Sequence, residues 1–166
     1  MNFPLTGLYY YPPHPKKKPY WLWIIIALLL LLWVRLGRAE EICIPCIIEI
    51  ESGNNPDAYN PKSQARGLMQ ITPACLKEFV EFNNVIYADP DYLFNPAFNI
   101  KVAQWYLNRI RDHYCKVWNI PPTIDHILIG YRDGVKNLKK YIEGKRKLGK
   151  EMKIYLKKYH QLTKEK

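Results

Sequence analysis

The chain has 166 residues, a length that suits one domain, and a net charge of +10. Residues 135–166 carry 12 Lys/Arg against three Glu, so nearly all of that charge sits in the tail and the first 134 residues are close to neutral. A tail of this kind suits anionic lipid, anionic wall polymer or nucleic acid, or is simply a solvated helix face; the export signal described next argues against nucleic acid as a partner.

Residues 1–19 are rich in Tyr and Pro, lack a helical period and are expected to form a cytoplasmic tail. Lys16-Lys17-Lys18 then precede 14 uncharged residues, Trp21–Val34. With Arg35 snorkelling, 20–36 reads as a transmembrane signal anchor at the short end of the usual range, with Trp21, Trp23 and Trp33 near its ends. The alternative is a cleaved signal peptide ending at Gly37-Arg38-Ala39. The lysines keep the N-terminus inside, so residues 39–166 are expected in the periplasm or otherwise outside the inner membrane, or secreted after cleavage. They are enough for a hydrophobic core.

In this exported part Pro45 suits the first turn of a helix that runs to about Ser52, where Gly53 suits a left-handed stop. Ile44, Ile47 and Ile48 share a face with Glu51, so Glu51 continues an apolar stripe. Residues 54–66 hold Asn, Pro and Ser and read as a loop. Thr72-Pro73 is an N-cap and N1 pair opening a helix to about Phe82. After turns at 89–91 and 95–96, Asn95 caps a long helix with a stripe of Ile100, Ala103, Leu107, Ile110 and Tyr114. Pro121-Pro122 opens a further helix, with Ile124, Ile127, Leu128 and Tyr131 on one face, ending at Gly134. A last helix over 151–159 packs through Ile154, Tyr155 and Tyr159. No strand shows a period of two. The domain is expected to be mainly α.

The cysteines are Cys43, Cys46, Cys75 and Cys115. Export permits disulfides, and Cys75–Cys115 is a candidate pair, although connectivity does not follow from sequence. Cys43 and Cys46 with His113 and Cys115 form a weak zinc reading; their Ile-rich setting favours small apolar residues instead. No metal and no cofactor is expected.

A glutamate on the inward stripe of a helix is costly to ionise, so it holds a proton near neutral pH and can protonate a glycosidic oxygen. Its neighbours sharpen this. Glu51-Ser52 is followed by Asn55-Pro56; Gly67-Leu68-Met69-Gln70 comes next; Asn99-Ile100 precedes Ala103-Gln104-Trp105-Tyr106-Leu107; and Gly130-Tyr131-Arg132-Asp133-Gly134 partly keeps an Ala-Tyr-Asn-Ala-Gly pattern. From about Ile42 to Tyr159 the chain resembles the soluble lytic transglycosylases, the peptidoglycan-cleaving branch of the lysozyme-like fold.

The resemblance implies a lysozyme-like helical domain and roles for six residues. Glu51 is the single acid, then base. Gln70 and Met69 line the sugar groove, Tyr131 reaches the glutamate or the N-acetyl group, and Ser52 and Asn60 support the loop. It also implies cleavage of the MurNAc–GlcNAc β-1,4 bond with 1,6-anhydro ends and no nucleophilic carboxylate. Asp133 replaces an alanine of the pattern; it is expected to face solvent, and were it to face the groove it would favour hydrolysis. Alternatives are a hydrolytic lysozyme and a catalytically silent wall-binding scaffold. By analogy, such a domain opens wall for a secretion, conjugation or phage apparatus.

Overall fold

The computed structural model describes residues 20–36, 41–86 and 88–165. The expected cytoplasmic tail and the cleavage alternative at 37–39 lie outside these. The chain divides into a unit ending at Ala39 and a unit covering 40–166. In the first, α1 (Tyr20–Leu36) has the bounds expected of the anchor. At 17 residues it is about 26 Å long, under the ~30 Å of a hydrocarbon core. Among the described residues no helix is long and apolar enough to cross a membrane.

The second unit is mainly helical: α2 (Ile44–Ser52), α3 (Pro73–Phe82), α4 (Pro96–Arg109), α5 (Cys115–Val117), α6 (Ile124–Asp133), α7 (Val135–Ile142) and α8 (Lys150–Lys164). Two caps form as the sequence indicates: the Thr72 side chain accepts from the Cys75 N–H, and Asn95 accepts from the Phe98 N–H. Packing of α3 and α6 on α4, and of α2 and α7 on their neighbours α8 and α6, closes the core around Ile47, Leu107, Ile110, Ile127, Leu128 and Leu138.

Several expectations are corrected. The helix from Asn95 does not run unbroken to Tyr114; a π-helical turn covers Ile110–Tyr114, which lets Ile110 stay fully buried while Tyr114 turns toward Glu78. The helix expected at Pro121-Pro122 starts at Ile124, because Thr123 is the residue that caps it through the His126 N–H. Residues 135–142, read only as part of a charge run, form α7, anchored by buried Leu138. In α8 Tyr155 and Tyr159 pack as expected, each 2% exposed, but Ile154 is 56% exposed on the opposite face. The loop at 54–66 contains a small hairpin, β1 (Tyr59–Asn60) paired antiparallel with β2 (Ala65–Arg66).

The disulfide is Cys43–Cys46, and Cys75 and Cys115 are free and buried. It consumes two ligands of the zinc reading, and no group of three metal-ligating side chains exists among the described residues. The bond sits on the first turn of α2. There Cys43 Sγ accepts from the Cys46 N–H, and the Cys43 N–H donates to the Tyr159 hydroxyl at 2.9 Å, tying α2 to α8.

Candidate active site

Helix α2 carries its apolar stripe inward, with Ile47 fully buried, and ends as Gly53 takes φ 60°. A left-handed stop costs glycine little. Glu51 lies in the last turn of that stripe and is half-buried. Burial raises its proton affinity above the ordinary carboxylate value near 4.5; the Arg132 guanidinium and the Tyr155 hydroxyl pull it back down, less strongly. The carboxyl therefore keeps a proton to higher pH than an exposed glutamate, as a general acid requires.

The loop behind it is built on Asn99, a fully buried polar side chain. Its amide nitrogen donates to the carbonyls of Arg66 and Leu93, both at 2.8 Å, and its oxygen accepts from the Met69 N–H at 2.8 Å. Both amide donors and the amide oxygen are thus engaged, holding this loop against the turn at Pro90–Phe94. Gly67 is crushed against the same group: a Cβ there would stand 2.2 Å from the Leu93 carbonyl oxygen and 2.4 Å from Asn99 Nδ2, at φ +75°. Paired bonds between Arg66 and Ile71 close the turn and set Gln70 at φ 47°.

Two adjoining clefts follow, of about 540 Å³ and 550 Å³, and both are lined by Glu51, Asn60 and Gln70. The Glu51 carboxyl thus stands where they meet. Gln70 Nε2 donates to the Ala58 and Gly67 carbonyls at 3.1 Å each, which leaves the amide oxygen as its accepting end. Asn60 accepts from the Lys62 and Ser63 N–H groups, shaping the hairpin turn, and Ser52 lines the second cleft while donating to the Ile48 carbonyl. Tyr131 lines the first cleft and donates to the Met69 carbonyl at 2.7 Å. Burial keeps its phenol neutral. Met69 is brought near only through its backbone. Its side chain is wholly buried in the core and forms no groove wall.

Four carboxylates line the first cleft: Glu51, Glu78, Asp133 and Glu151. Glu78 is held by Arg109 and the Tyr114 hydroxyl. Asp133 does not face open solvent as expected; it lines the cleft and pairs with Arg146 at 3.3 Å. Glu51 is the one that continues the apolar stripe of α2, and burial raises its proton affinity.

Sequence reading missed Arg132 and Tyr155 as members of the site. Tyr155 was legible only as core, since the last helix gives no sign of which residue its face meets. Its hydroxyl is buried, has no partner of full hydrogen-bond geometry, and stands close enough to Glu51 to favour the charged form. Arg132 was visible as a departure from a motif, but its effect on Glu51 depends on the approach of α6 to α2.

The transglycosylase SLT domain family matches residues 37–154. The fold is similar to that of the 70 kDa soluble lytic transglycosylase of Escherichia coli, with a TM-score of 0.52 and 24% identity over 60% of this chain. The chain spans 15% of that protein's length. No curated protein matches the chain by sequence. With a match across most of its length and the fold to go with it, the chain belongs to the transglycosylase SLT domain family, with a lysozyme-like fold.

Proposed function

We propose that the chain is a peptidoglycan lytic transglycosylase that cleaves the MurNAc–GlcNAc β-1,4 bond with Glu51 as its only acid and base. The observation that carries this is a half-buried carboxyl with raised proton affinity at the junction of two clefts. Protonated Glu51 gives its proton to the glycosidic oxygen as the C1–O bond breaks. The substrate's N-acetyl oxygen stabilises the cationic sugar. Its 6-hydroxyl then attacks C1 and loses its proton to the Glu51 carboxylate, which restores the acid and closes a 1,6-anhydro ring. No water is consumed, so the reaction is a lyase reaction.

Although α1 alone falls short of a full span, residues 20–36 with Arg35 snorkelling are proposed to tether the domain to the inner membrane, with catalysis on the periplasmic side, and the exposed lysines of α7 and α8 to rest on anionic wall polymer. Local wall opening for a secretion, conjugation or phage apparatus suits a tethered enzyme with so small a domain. Hydrolysis is the second reading, favoured by Asp133 in the cleft, from which a carboxylate released by Arg146 would position water.

Mass spectrometry of the glycan ends released from purified peptidoglycan tests the proposal. Anhydro ends support transglycosylation and reducing muramic ends support hydrolysis. Binding without soluble product leaves only a wall-binding scaffold.

A further inference from the structure

Arg132 is a cation in the cleft of Glu51 that forms no ion pair among the described residues. It lies in the last turn of α6, is exposed, and lines the cleft that holds Glu51, Gln70 and Tyr131. Besides Glu51, three carboxylates line that cleft, and none forms an ion pair with Arg132 among the described residues: Asp133 pairs with Arg146, Glu78 pairs with Arg109, and Glu151 on α8 forms no ion pair. The guanidinium lies 4.6 Å over the Tyr155 ring. Such stacking fixes the plane of an arginine and leaves its N–H donors free for a planar anion. Arg132 and Glu51 line the same cleft, and Arg132 acts electrostatically on Glu51, so an anion bound to it shares the cleft with the proposed acid.

We propose that Arg132 binds a carboxylate on the muramic unit of the strand and makes the enzyme selective for glycan that carries one. This rests on peptidoglycan being the substrate. The two alternating sugars differ in that only muramic acid bears an acidic lactyl ether, so a cation in the cleft sets the register of the polymer against Glu51. The carboxylate comes from one of two sources: the free lactyl group of a peptide-stripped strand, or the peptide that otherwise caps it. A guanidinium suits either, through paired N–H···O bonds. The Ala-Tyr-Asn-Ala-Gly pattern has a neutral asparagine where this chain has Arg132.

The test compares three glycan oligomers of equal length: one with free lactyl carboxylates, one with peptide stems, and one with the lactyl groups converted to neutral methylamides. The full chain is assayed as wild type, Arg132→Lys and Arg132→Gln. Wild type is expected to prefer a carboxylate-bearing oligomer over the methylamide by about tenfold, mainly in KM. Arg132→Gln loses that preference while still cleaving the methylamide, which shows that it is folded; Arg132→Lys keeps part of it. Whichever carboxylate-bearing oligomer shows the Arg132-dependent preference identifies the source. Equal use of all three by wild type, or an unchanged preference in Arg132→Gln, overturns the proposal. If wild type cleaves none of the three, the reading of the substrate itself fails.

Discussion

The Arg132 guanidinium lies over the Tyr155 ring, and both residues press the proton affinity of Glu51 downward while burial presses it upward. The acid is thus set by opposing forces from three helices. Burial dominates, and removing either opponent strengthens its hold.

Tyr155→Phe is therefore expected to move the alkaline limb of the kcat profile to higher pH, because Glu51 loses a group that favours its charged form. The lost hydroxyl has no partner of full geometry, so thermal unfolding is expected to show an equal or higher Tm. An alkaline limb that moves to lower pH contradicts this balance.

Glu51 also links stability to pH. Its folded-state proton affinity is raised, so the folded chain binds the proton more tightly than the unfolded chain does. Stability from this group is complete below its unfolded value near 4.5 and is lost as pH rises through the raised folded value. Glu51→Gln is expected to raise Tm relative to wild type at pH 7, with the difference shrinking toward pH 4. A variant less stable than wild type at pH 7 contradicts the burial argument.

Gly67→Ala is expected to cost at least about 2 kcal/mol and to reduce cleavage, because the new Cβ meets a backbone carbonyl and the Asn99 amide where neither can retreat. Denaturant unfolding and wall solubilisation check it together.

The Cys43–Cys46 bond closes a loop of sequence separation 3, so chain entropy assigns it about 2 kcal/mol. Cys43→Ser with Cys46→Ser is expected to lower Tm by several degrees and leave the products of cleavage unchanged. A Cys75→Ala variant, in contrast, leaves that bond intact by mass spectrometry, since Cys75 is a free thiol.

Local chemistry was legible in the sequence where a residue's own neighbours decide its role. Thr72, Asn95 and Gly53 work within one turn, and the burial of the Ile44–Ile48 face fixes where Glu51 points. What depends on distant contacts was not. Strands of two residues are too short to show alternation, so the hairpin at 59–66 read as loop. Helix α7 has apolar residues at helical spacing, yet its lysines hid the role of Leu138. Cys75 and Cys115 are both buried, and nothing in their spacing says that they stay apart. The groove expectation for Met69 failed to reach its side chain because Asn99 draws that backbone inward and buries the residue, leaving the Met69 carbonyl as the part that meets Tyr131.

The most direct measurement is the release of soluble fragments from purified peptidoglycan by wild type and by Glu51→Gln, both shown to be folded by circular dichroism. The account predicts release by wild type and a fall of at least about 100-fold in the variant; undiminished release by Glu51→Gln would contradict it.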